Sequence, residues 1–183
     1  FAATDPIAKA LSVCTEGAGV PLLGLVVADP DFTRQRHWTF RNSSTHDEEL
    51  KPVVQLLSGA GIGHVGLLHV ECAWGRALDA AFADMLARQQ PPLRHVGLPF
   101  DGALTNFRDL VASAADLPAL LLAGSFQHIR DLLLELRRTR YPGMILTTSL
   151  GASPEIRNLP EADGIYCPTS ILNNPRFTLP RRI

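Results

Sequence analysis

The chain has 183 residues, 46% of them hydrophobic and 19% charged, and a formal net charge of -1 from 17 basic and 18 acidic side chains. That balance fits one sizeable domain, or one domain and part of another, and excludes a disordered chain. It leaves no nucleic-acid footprint, and the longest apolar run, 118–124, is far short of the ~20 residues of a membrane-spanning helix.

In chain order the periodicity predicts a helix over 5–17 and strands over 21–27 ("PLLGLVV") and 36–41 ("RHWTFR"). A helix over 46–60 and a strand over 64–70 ("HVGLLHV") follow, then a helix over 73–90 and a strand over 93–99. The series closes with a helix over 104–115, a strand over 118–124, a helix over 125–140, and strands over 143–149 and 163–169. Most of the strands run apolar without alternation, as strands covered on both faces do. Caps support the helices: Thr45 and Asp47 before "EELKPVVQLL", Thr105 before the fourth helix, Ser125 before the fifth, with Gly59, Gly61, Pro142 and Gly143 as stops. Regular alternation of strand and helix predicts an α/β fold, a doubly wound, mainly parallel sheet flanked by helices. The rhythm breaks at 28–48, which joins strand to strand without a helix, and from Pro168 onward.

Few motifs carry chemistry. Gly61, Gly63 and Gly66 match G-x-G-x-x-G, but the match follows a helix and opens a strand, the reverse of a dinucleotide loop, so it reads as a helix stop and turn. Arg137, Arg138 and Arg140 close a helix, where basic residues complement the helix dipole. Cys14, Cys72 and Cys167 form no CxxC pair; three thiols, or one disulfide and one thiol, both fit the count. His69, Glu71 and Cys72 cluster where strand 64–70 meets a helix, a set with metal-binding donors but no second ligand group nearby.

Position is more informative. In open parallel sheets ligands bind beyond the carboxyl ends of strands. Three such ends stand out: 71–75 with Glu71, Trp74 and Gly75, 124–126 with Ser125 and Phe126, and 147–151 with Thr148 and Ser149. Trp74 offers an apolar face and the helix starts offer N–H groups suited to an anion. Ser125 as a plain N-cap and Trp74 as a packing residue are equally consistent readings.

The segments "GVPLLGLVVADPDF", "WTFRNSSTHDEELKPVVQLLSGAGIGHVGLLHVECAWGRALDAAFADML", "TNFRDLVASAADLPALLLAGSFQHIRDLLLELRR" and "ADGIYCPT", in that order, resemble the type I periplasmic binding proteins, in particular the branched-chain amino acid and amide group serving ABC importers. The resemblance implies a hinged two-lobed clamp, with 1–37 as the end of the first lobe, 38–166 as the second ligand-binding lobe and 167–183 as the return crossing and irregular tail. It implies ligand contacts at Trp74 before Gly75, at Ser125 or Phe126, and at Ser149 beside Thr148. Amino-acid-binding members often place an acid at the last of these positions; Ser149 departs from that pattern, and Glu71 is the nearby acid in sequence.

The resulting expectation is an extracytoplasmic or periplasmic solute-binding protein fragment, with no catalysis, cofactor or metal. Its partners would be a small polar ligand (an amino acid, amide or small carboxylate) and ABC permease subunits, with no nucleic acid. The chain opens on Phe1 without an initiating Met, which reads as a processed or cloned piece, and an uncovered lobe surface would promote a homodimer. Two alternatives are a ligand-sensing receptor ectodomain of the same fold and a small α/β enzyme using Cys72 with His69.

Overall fold

Capping chemistry and glycine stops place the elements. In the computed structural model, which describes residues 5–25 and 27–169, the order is α1 (Asp5–Ala18), β1 (Leu22–Gly24), β2 (Thr39–Arg41), α2 (His46–Gly59), β3 (His64–Val70) and α3 (Ala73–Ala87). Then come β4 (Arg94–Phe100), α4 (Arg108–Ser113), β5 (Ala119–Ala123), α5 (Phe126–Arg138), β6 (Met144–Thr147) and α6 (Pro154–Arg157). At the start of α2 the Thr45 hydroxyl accepts from the Glu48 N–H, and the Glu48 carboxylate accepts from the Thr45 N–H. Those bonds hold the Glu48 carboxyl below the usual carboxylate range. Past its end Gly61 takes φ +67°, a left-handed turn open to glycine at little cost.

The main sheet is parallel throughout, in the order β4-β3-β5-β6. Alternate side chains feed two cores, as a sheet covered on both faces requires. Val65, Leu67, Ala119 and Leu121 pack under α2 and α3 with Leu57, Leu78 and Phe82. Leu68, Leu120, Leu122 and Ile145 pack under α4, α5 and α6 with Phe107, Leu132, Leu133 and Ile156. The doubly wound α/β layer expected from the sequence is therefore present. Gly66 of the glycine pattern lies inside β3, where a Cβ would meet Leu117 Cδ1 at 2.6 Å, so it serves packing.

A second, two-stranded parallel sheet pairs β1 with β2, Leu22 opposite Thr39, over a small core of Ala8, Leu22, Val27 and Phe32. The segment between these strands carries a short 3-10 turn, Pro30–Phe32. Glu16 at the end of α1 accepts from the N–H groups of His37 and Trp38 and from the Thr39 hydroxyl, which seats the entry to β2.

Some predicted elements shrink. The fourth helix starts at Arg108, and Thr105 does not cap it; the Asn106 side-chain Oδ1 accepts from the Arg108 N–H at 3.1 Å, a local bond that competes with an earlier start. The third helix stops at Ala87, ahead of Pro91 and Pro92. The strand expected over 163–169 is a single bridge, Tyr166 beside Leu146: a 3-10 turn at Pro160–Ala162 and Gly164 at φ +74° bring the chain to the sheet late, and Pro168 lacks the donor to continue. Most of the irregular tail, 170–183, lies outside the described residues. Cys14, Cys72 and Cys167 are thiols, with burial raising the Cys167 pKa. Arg137 donates to the Glu161 carbonyl at 2.9 Å and Arg138 pairs with Glu135, so the basic helix end is spent on local contacts.

Candidate functional site at the carboxyl edge of the sheet

Parallel strands end together, so the three strand-to-helix junctions share one edge. The chain leaves β3 through α3 on one face towards β4, and leaves β5 through α5 on the other face towards β6. Because β3 and β5 are neighbours, their ends lie at the topological switch point, where helices of opposite faces part.

At the first junction the Gly75 N–H donates to Cys72 Sγ at 3.4 Å, making Cys72 the cap of α3. Gly75 is buried against the end of β3: a Cβ there would lie 2.0 Å from the Val70 carbonyl oxygen. Trp74 is half-buried, packed on the α2–α3 core, its ring 5.8 Å from that of His46. The Glu71 carboxylate is exposed and ion-paired with Arg76. It turns to a shallow hollow of about 270 Å3 shared with Pro99, Phe100 and Asp101.

At the second junction Ser125 Oγ accepts from the His128 N–H at 3.3 Å while His128 Nδ1 accepts from the Ser125 N–H at 3.2 Å, a capping box with histidine in the place usual for Glu or Gln. The exposed Phe126 ring, 42% accessible, flanks this cap. Ser125→Ala is expected to lower stability by about 1 kcal/mol in thermal denaturation, the typical worth of an N-cap hydroxyl.

At the third junction Thr148 is buried, 4% exposed, and Ser149 is exposed. The Ser149 N–H donates to Glu49 Oε1 at 2.5 Å. Glu49 lies in the first turn of α2, one turn from His46, which packs on Trp74. Trp74, Ser149 and Glu49 are thus joined through α2, whereas Glu71 faces the β4 side.

Glu49 and His128 are absent from the sequence-derived set. A helix that precedes a parallel strand must begin at the carboxyl edge, so the acids after Thr45 carried a readable signal. His128 carried one too, three residues after the Ser125 cap.

The Cys72–His69 pair of the enzyme alternative does not form. Cys72 caps α3, His69 Nδ1 donates to the Val70 carbonyl at 3.2 Å, and His69 Nε2 faces Asp79 Oδ1 at 3.9 Å. Among the described residues no three His, Cys, Asp or Glu side chains are arranged to hold a metal ion, and no helix is long and apolar enough to cross a membrane.

No family model and no curated protein sequence matches the chain. Solved structures do. A protein from Rhodospirillum rubrum described as a branched-chain amino acid ABC transporter superposes with a TM-score of 0.70 at 21% identity, over 90% of this chain and 48% of that one. A leucine-binding protein from Thermotoga maritima gives 0.71 at 16%, over 82% and 44%. A fatty acid ABC transporter substrate-binding protein from Thermomonospora curvata gives 0.68 at 20%, over 90% and 44%. The chain spans about half the length of these structures. The likeness gives the fold, that of the type I periplasmic binding proteins.

Proposed function

We propose that residues 38–166 form the second ligand-gripping lobe of an extracytoplasmic solute-binding protein that delivers its ligand to an ABC permease. The observation that carries this reading is that the strand-to-helix junctions share the carboxyl edge of one parallel sheet, two of them at its switch point, a position suited to noncovalent capture. The structural neighbours act as solute carriers rather than enzymes by their descriptions, which agrees with a binding role.

The ligand we infer carries an ammonium group and an apolar body. Glu49 supports this: its carboxylate is oriented by the Ser149 N–H and has no ion-pair partner among the described residues. It thereby supplies the acid that Ser149 lacks and that Glu71, engaged with Arg76, does not offer. Trp74 beside it provides an aromatic face for the apolar part or the cation itself. Ser125 would take the polar far end of the ligand.

Calorimetric titration of L-leucine against 4-methylpentanoate, the same skeleton without the amine, tests the reading. Leucine is expected to bind more tightly, and Glu49→Gln to weaken it by about 30-fold, the loss that follows when a charged partner is removed. Equal affinity of the two compounds for the wild type would remove the ammonium from the reading.

A further inference from the structure

The imidazole of His128 bridges two loops of the carboxyl edge. Its Nε2 lies 3.0 Å from the Gly102 carbonyl oxygen in the loop after β4, and its Nδ1 lies 3.2 Å from the Ser125 backbone nitrogen after β5. A carbonyl oxygen only accepts and a backbone N–H only donates, so the two partners together demand one form of the ring: neutral, with the proton on Nε2 and a lone pair on Nδ1. The ring is clasped edge-on by Phe100 at 5.2 Å and Phe107 at 6.3 Å, and lies so close over Gly124 that a Cβ there would approach His128 Nδ1 to 3.0 Å.

We propose that His128 is a positioning residue for the Ser125–Phe126 rim of the candidate site, and that the rim is held only while its imidazole is neutral and protonated on Nε2. A second proton has one place to go, Nδ1, where it meets the Ser125 N–H donor to donor. The cap bond between Ser125 and the ring breaks.

The charged groups on the surrounding elements do not compensate. Asp101, in the loop beside Gly102, accepts from the Ala103 N–H. Asp131, one turn along α5, pairs with Arg130. Neither forms an ion pair with His128, and Arg108, beside Phe107 at the start of α4, is of the wrong sign. Protonation would therefore free the Ser125 amide at the α5 amino end, while Nε2–H keeps its bond to the Gly102 carbonyl in the 101–104 loop. Only the last step, a loss of ligand grip on acidification, rests on the proposed binding function.

Nitrogen-15 spectra of the histidine side chains and amide hydrogen exchange, measured across the pH range of imidazole titration, test this. The expected result is the Nε2–H tautomer for His128, with the Ser125 amide protection factor falling about tenfold as the ring takes its second proton. Gln is a regular capping-box residue at this position and does not titrate, so His128→Gln should keep Ser125 protected at every pH, and His128→Ala should leave it unprotected at every pH. An Nδ1–H tautomer, or the same pH response in wild type and His128→Gln, would overturn the proposal. With L-leucine as the probe, affinity should fall on acidification in the wild type and stay level in His128→Gln. Leucine that binds at no pH would count against the binding function, while the tautomer and exchange results would still decide the role of His128.

Discussion

Gly75→Ala is expected to lower the unfolding free energy by about 3 kcal/mol, at the severe end of what a single added methyl causes in a packed interior. The new Cβ would sit 2.0 Å from the Val70 carbonyl oxygen and 2.9 Å from His69 Nδ1. The first of these is backbone at the end of a central strand, tied by the Cys72 N–H at 2.9 Å, so it cannot swing aside as a flexible side chain would. Either α3 shifts off the end of β3 or β3 frays. Gly59→Ala is the control: a Cβ there meets nothing within 4 Å, it lies at the end of α2, and the change should be neutral or stabilise by up to about 0.5 kcal/mol. Urea denaturation of both variants checks the pair, and a Gly75→Ala midpoint equal to that of Gly59→Ala would sink the argument. The functional corollary is that Gly75 works through distance: it lets α3 start directly on the strand end, which sets where Trp74 stands at the edge.

The alternation of strands and helices was legible because buried parallel strands and amphipathic helices leave different periods in the sequence, and Thr45, Ser125 and Gly61 mark boundaries with their own local bonds. Element lengths were less legible where a local competitor decided them. Asn106 draws the Arg108 N–H to itself and delays α4, and one bridge at Tyr166 replaces a strand because Gly164 and Pro168 bracket it. The carboxyl edge could be read from topology alone, and the residues named on it lie at the ends of β3, β5 and β6. What could not be read was pairing across the chain. Glu49 and Ser149 are 100 residues apart, and nothing local to either foretells their bond. Glu71 was close in sequence to the expected acid position, yet Arg76, one helical turn on, claims its carboxylate.

Below pH 6.5 the protein is expected to lose stability progressively, and the cause lies at His95. The imidazole is half-buried between β4 and α3, edge-on to Phe82, with Nε2 3.0 Å from Asp79 Oδ1. Burial pushes its pKa below the usual 6.5; Asp79 pulls it back up, and His69 and His64 add to the downward push. A folded-state pKa below the unfolded one means that, as pH falls past about 6.5, the unfolded chain takes a proton that the native ring resists. The His95 contribution is therefore complete above that pH and is lost as pH falls through the folded-state pKa. Gly97 makes the arrangement possible, since a Cβ there would lie 2.8 Å from Asp79 Oδ1. Asp79→Asn should cost little at pH 8, where the amide oxygen can face the neutral ring as the carboxylate does. It should cost more at pH 5.5, where the restoring charge is gone and the native pKa has dropped further. His95→Gln, which cannot titrate, should flatten the dependence between pH 7 and 5.5. Denaturant midpoints of the three proteins at pH 8, 6.5 and 5.5 decide it: a wild-type profile that keeps its slope in His95→Gln would remove His95 as the cause.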